Sequence, residues 1–167
     1  MRRWGILIAV LYLAACASMP VPRQIQNTWV IDRPVDATWQ ATLEVLTELN
    51  LNLVAPTERA SGMIVTDLFI IPENRAPCWD CGKLNWTQFK EGHRGKFTIF
   101  IKPVGDIQTE MKIVSQFELL FTDTVADSLY QSRLEHAVKG DMMFNRSCVS
   151  TGQFEREIYG LVMAKVK

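Results

Sequence analysis

Two runs of strictly alternating side chains constrain this chain more than any other feature. Between Lys96 and Lys102, Phe97, Ile99 and Ile101 alternate with Lys96, Thr98 and Lys102, and only Phe100 puts an apolar side chain on the second face. Beyond Pro103 to Asp106, the residues Met111, Ile113, Ser115, Phe117, Leu119 and Phe121 fall on one side of a second run. A period of two is that of a strand with one buried face, and the proline and glycine between the runs are turn residues. The pair therefore predicts a long antiparallel hairpin whose apolar face needs a cover. Helical spacing supplies that cover twice. Val35, Trp39, Leu43, Leu46 and Leu49 or Asn50 form one stripe, with Asp36 in the first turn where the helix dipole favours an acid. Phe154, Ile158, Leu161 and Val162 form another, preceded by Ser150 and Gln153 at capping-box spacing.

The other segments carry weaker signals. Thr28 to Asp32 favours a strand and is stopped by Pro34; Leu51 to Ala55 and Met63 to Ile71, across the turn region Pro56 to Gly62, predict a second hairpin. Pro72 to Gly92 lacks periodicity and predicts a long loop, as does Thr122 to Arg146, with at most a short helix inside it. The expected order is β-α-β-β-β-β-α: an α+β fold in which a single antiparallel sheet carries two packed helices.

The N-terminus specifies an address. Arg2 and Arg3 precede an uncharged stretch from Trp4 to Ala15. About twelve helical residues span roughly 18 Å, short of a ~30 Å hydrocarbon core, so the segment is a signal for export and not a membrane span. It closes on Leu13-Ala14-Ala15-Cys16, which resembles the lipobox of bacterial lipoproteins. The resemblance implies cleavage before Cys16 and acylation of that cysteine, and Ala17, where an aspartate would favour the inner membrane, implies the outer membrane of a diderm cell. The expected organisation is a removed signal peptide over residues 1–15, a lipidated tether over 16–26 containing Pro20 and Pro22, and one globular domain over 27–167.

Removal of residues 1–15 leaves 152 residues with sixteen basic and eighteen acidic side chains. The size suits one domain, and a net charge of −2 gives no clustered basic surface for a nucleic-acid partner.

Around Trp39, the sequence Pro34-Val35-Asp36-Ala37-Thr38-Trp39-Gln40-Ala41-Thr42-Leu43, followed by Leu51-Asn52-Leu53-Val54 and Ser61-Gly62-Met63-Ile64-Val65-Thr66, resembles a known pattern. It is similar to the repeated domain of the C component of the outer-membrane β-barrel assembly machinery and related small lipoproteins. The similarity covers roughly residues 27–70 and, more loosely, the last helix. It implies a helix-grip-like fold, in which a curved sheet embraces a helix, and a non-enzymatic envelope role. This chain has one such domain instead of two and carries a cysteine-bearing loop that the family lacks.

That loop holds Cys78 and Cys81, and a third mature-domain cysteine, Cys148, stands before the last helix. In an oxidising compartment, Cys148 is expected to pair with Cys78 or Cys81, closing a ring of sixty-odd residues; a tight Cys78–Cys81 bridge is the alternative. A thioredoxin-type use of Cys-x-x-Cys would need a following helix, and Gly82 follows instead. Zinc would need Cys78, Cys81, Cys148 and His93, of which only the first two have ligand-pair spacing. No metal or other cofactor is expected.

No catalytic constellation is visible either. Ser61-Gly62 and Ser147-Cys148 form no nucleophile elbow, Glu155 and Glu157 point apart on a helix, and neither His93 nor His136 has an evident catalytic partner. The expectation is a protein that is not an enzyme. Trp79, Trp86 and Phe89, with Tyr130, lie in or near the predicted loops, where they either pack as a lid on the core or form a binding surface for an envelope protein. A carrier of a small apolar ligand is the alternative, and an open groove lined by Phe97, Ile99, Phe117 and Phe154 would favour it.

Overall fold

Burial of one row of alternating side chains organises the whole domain. A computed structural model describes residues 19–54, 59–75, 78–123 and 143–166. The lipobox with Cys16, Tyr130 and His136 lie outside the described residues. In chain order the elements are β1 (Thr28–Ile31), α1 (Val35–Glu48), β2 (Met63–Val65), β3 (Phe69–Ile71), β4 (Trp79–Asp80), β5 (Gln88–Val104), β6 (Gln108–Asp123), β7 (Met143–Ser150) and α2 (Gln153–Lys165). Single 3-10 turns occupy Arg59–Ser61 and Glu73–Arg75. The seven strands form one antiparallel sheet whose main path is β2-β5-β6-β7-β4, with β1 added to β6 and β3 to β5. This is an α+β fold with a single antiparallel sheet and two helices.

The alternation reads directly in the register. Phe97 pairs with Ser115, Ile99 with Ile113 and Ile101 with Met111, and all of these apolar side chains are buried. Phe117, Leu119 and Phe121 extend the same row, while Arg94 and Glu118 face outward as an ion pair of 2.7 Å. The helices close over the inner face. On α1 the buried residues are Thr38, Trp39, Ala41, Thr42, Val45 and Leu46, so the packed stripe is rotated from the expected one, leaving Val35 and Leu43 only half-buried. Of the two buried threonines, Thr42 fits the apolar pattern because its hydroxyl bonds inside its own helix, Thr42 Oγ1 donating to the Thr38 carbonyl at 2.7 Å, whereas Thr38 Oγ1 has no partner among the described residues. The helix ends where Asn50 takes φ 54° and Leu51 N–H donates to the Leu46 carbonyl, satisfying a terminal acceptor. Lys165 at the end of α2 reaches Glu44 and Glu48 of α1, and Tyr159 stacks on Trp29 at 4.7 Å.

Four local expectations are corrected. The second hairpin forms only in part: residues 52–54 run beside 65–67 through the Leu53–Thr66 bridge and the hydrogen bonds from Val54 N–H to Val65 and from Asp67 N–H to Asn52, and the 63–71 run divides into β2 and β3, which both pair with β5. The break follows from side chains that imitate backbone. Thr66 Oγ1 accepts from Phe97 N–H, and Asp67 Oδ1 accepts from Leu68 N–H, turning the strand between its halves. The 72–92 loop contains β4 and the start of β5; a register shift between Lys90 and Gly92 offsets the alternation there and hides it from a period-two search. Residues 143–150 are strand β7, although 124–142 are not described. Finally, Ser150 and Gln153 make no capping box. Gly152, at φ 80°, turns the chain into α2, and Ser150 Oγ accepts from Gly152 N–H while donating to Glu155.

Candidate functional site

The sequence-predicted surface residues gather at the far end of β5, and the structure sorts them. Trp79 belongs to the core: it is 8% exposed and packs on Phe117 and on His93, with ring centroids 5.6 and 4.9 Å away. Its place in the proposed binding surface is therefore corrected, because β4 turns its side chain inward onto the Phe117 row. Trp86 and Phe89 do the opposite, at 80% and 55% exposed.

The loop that carries them is held from several directions. Trp79 pairs with Ser150 and Asp80 with Val149, so the next step in register brings Cys81 opposite Cys148, and these two form a disulfide across a Cα separation of 4.1 Å. Both long-range pairings were open from the sequence, and β4–β7 register selects Cys81. Cys78 remains a buried thiol one step before β4, its carbonyl accepting from Thr151 N–H. Burial pushes that thiol up from its ordinary pKa, and the nearby Glu157 carboxylate adds to the effect. With Cys81 and Cys148 joined, two of the four candidate zinc donors are occupied in a covalent bond.

Polar links complete the clamp. Arg146 of β7 donates to the Lys83 carbonyl at 3.0 Å and to Gln88 Oε1 at 3.1 Å, spanning the loop from one root to the other. Its guanidinium also lies 5.4 Å from the Phe121 ring centroid. Asn85 Oδ1 accepts from both N–H and hydroxyl of Thr87, and Gln88 N–H donates back to the Asn85 carbonyl, which forms the tight turn that presents Trp86. Arg23, from the segment expected to be tether, is within 3.2 Å of Asp80, so that segment meets the domain beside this loop.

On the outward side of the sheet, Phe89, Thr122 and Met143 occupy one cross-strand row, with Leu120 on the row beside it. Phe89 and Met143 are exposed. Trp86 and this row make an aromatic and apolar surface on a rigidly held end of the sheet. Such anchors suit burial against another molecule, since one large rigid side chain removes much apolar area from water at little entropic cost.

Beneath the loop, a shallow cleft of about 590 Å³ is bordered by Trp79, Lys83, Leu84, Lys90, His93 and Leu119. His93 is buried and its Nδ1 has no hydrogen-bond partner among the described residues. Burial holds its pKa below the ordinary histidine value, Lys90 lowers it further, and Glu73 opposes them. The neutral imidazole is thereby favoured, packed against an indole, and among the described residues no nucleophile is hydrogen-bonded to it.

The groove expected for a carrier is filled. Phe97, Ile99, Phe117 and Phe154 are all buried, and the Phe154 ring lies 4.9 Å from Phe97 and 6.4 Å from Phe117. Glu155 and Glu157 go separate ways. Glu157 pairs with Arg75, whereas Glu155 is fully buried and accepts from Ser115 and Ser150. Sequence inspection missed the burial of Glu155, yet Ser115 was a signal: it interrupts the apolar inward row between Met111 and Phe121, and a hydroxyl drawn in from water needs a partner.

The fold and this site together define an α+β domain that presents an aromatic surface from a disulfide-stapled loop. Compared with known proteins, the chain matches no protein-family model and no curated protein. No helix among the described residues is long and apolar enough to cross a membrane.

Proposed function

We propose that this protein is a lipoprotein of the bacterial cell envelope, anchored by acyl chains on Cys16 at the periplasmic face of the outer membrane, where it acts as a non-enzymatic interaction or assembly-accessory module. The observation that carries the binding role is the exposure of Trp86 and Phe89 on a loop fastened by Cys81–Cys148 and Arg146. Anchoring rests on Leu13-Ala14-Ala15-Cys16 and the apolar stretch before it. A disulfide between distant residues agrees with an exported domain. The similarity of residues 27–70 to a β-barrel-assembly lipoprotein domain supports the same compartment. The carrier alternative is disfavoured because three of the four side chains that would line its groove, Phe97, Phe117 and Phe154, pack on one another and the fourth, Ile99, is buried.

Two measurements test this. The mass of the mature N-terminal peptide is expected to equal Cys16 with its acyl groups, and Cys16→Ser to leave the precursor uncut; an unmodified Cys16 overturns the anchor. A photoreactive amino acid at position 86 in intact cells is expected to capture a discrete envelope protein that the same probe at Ile107, exposed on the opposite hairpin end, does not. No capture specific to position 86, with a stoichiometric lipid in the purified protein, would favour the carrier.

A further inference from the structure

The sheet has a second place where something is missing, at the edge formed by β3. Phe69 pairs with Gly95, Ile70 with Arg94 and Ile71 with His93, all on β5. The opposite edge of β3 has no backbone partner among the described residues. Its neighbour β2 is treated differently. There residues 52–54 run alongside, with Val54 N–H donating to the Val65 carbonyl and Asp67 N–H to the Asn52 carbonyl. The covering segment then leaves the sheet for the end of α1.

Where the two segments diverge, a cleft of about 260 Å³ opens between Leu49, Leu51, Phe69, Ile71, Arg75 and Phe154. The seating of β3 beside it depends on the missing side chain at Gly95. A Cβ there would lie 2.9 Å from Ile71 Cδ1 and 3.1 Å from the rings of Phe69 and Phe117, so glycine lets β3 settle onto the core and leave the cleft beside it. Arg75 on the rim is already paired with Glu157 and lies over the Phe154 ring, so the cleft presents mainly apolar surface.

Exposed edges in soluble domains are usually blunted by charge, proline or a bulge, because unpaired backbone groups recruit other strands. Between Leu68 and Ile71 there is no charged residue, and Leu68 and Ile70 are 51% and 74% exposed. Only Pro72 limits the edge. The strand is three residues long and its cleft admits one or two side chains. A stable domain-sized interface buries roughly 1,600 Å², well beyond what this edge offers, so the fitting occupant is an extended segment and not a second folded surface.

We propose that β3 receives an extended peptide segment of a partner protein by strand addition. The backbone of the segment bonds the open edge, one large apolar side chain enters the cleft beside Phe69 and Ile71, and the alternate side chains pack outward next to Ile70. This surface is separate from Trp86 and goes beyond the role proposed for it.

The test uses the full protein purified from membranes in detergent, panned against a phage-displayed random heptapeptide library. Enriched peptides are expected to carry an apolar residue flanked by β-formers, to slow amide hydrogen exchange at residues 68–72, and to bind Ile70→Lys about tenfold or more weakly. Ile70 is exposed, so that variant keeps its fold, which an unchanged melting temperature checks. Trp86→Ser is expected to bind the peptides unchanged. Absence of enrichment, a footprint elsewhere, or equal binding by Ile70→Lys overturns the proposal, as does a protein dimer dissolved by Ile70→Lys. None of these outcomes alters the mass at Cys16 or the capture at position 86.

Discussion

The two ends of β5 are one strand held by different physics. Over residues 96–102 the strand keeps its shape because every second side chain is buried under α1 and α2, and Phe97 has aromatic neighbours in β3, β6 and α2. Over residues 88–92 the alternation is interrupted, Phe89 and Lys90 are exposed, and the chain is fixed instead by Cys81–Cys148, Arg146 and the Glu73–Lys90 ion pair of 2.8 Å. Burial can fix a segment only by hiding its apolar groups. A segment that must show an aromatic residue to solvent needs covalent and polar ties, and this loop has both.

Substitutions that separate these mechanisms sharpen the contrast. Phe97→Ala is expected to cost about 3–5 kcal/mol in denaturant unfolding, because a large side chain leaves a well-packed core, and to speed hydrogen exchange throughout the sheet. A small loss confined to the loop would contradict the division. Replacing Cys81 and Cys148 together by serine removes a cross-link between residues 67 apart and is expected to cost up to about 4 kcal/mol. Exchange should then rise first at residues 79–89, while 96–102 stays protected; uniform loosening would mean that the disulfide supports the core as well.

Histidine 93 sits between the two regimes. Its folded pKa lies below the unfolded value of about 6.5, so on acidification the unfolded chain takes up a proton that the native state refuses. His93 therefore contributes full stability above pH ~6.5 and less as the pH falls through that value. His93→Gln should flatten this part of the stability profile, and an unchanged slope would place the imidazole in water. The smallest stability effect is expected for Trp86→Ser, within about 0.5 kcal/mol, since the indole is exposed; envelope-protein capture through the neighbouring Phe89 should nevertheless fall. A large loss of stability would mean that the indole supports the loop instead of a partner.

The same division governs what could be read in advance. Phe97, Ile99, Ile101 and the Met111 to Phe121 row announced the hairpin because a solvent-covered, one-sided strand imposes a period of two on its residues. Trp39, Leu46, Ile158 and Val162 announced the helices for the corresponding reason at 3.6. The loop end left no such trace. Lys90 to Gly92 changes register, Thr66 and Asp67 end strands with side-chain bonds, and β4 is only two residues long. Each of these depends on a partner distant in sequence, so no local period records it.

The amino-acid sequence by itself determined the α+β class, the one-faced sheet and the helices that cover it, because burial periodicity is a local property of the chain. Tertiary structure decided that Cys81 and not Cys78 meets Cys148, that Trp79 turns inward while Trp86 faces water, and that β3 keeps an edge unpaired among the described residues. Those outcomes follow from strand register, which depends on how segments far apart in the chain align, and a one-step change in register would exchange buried and exposed faces.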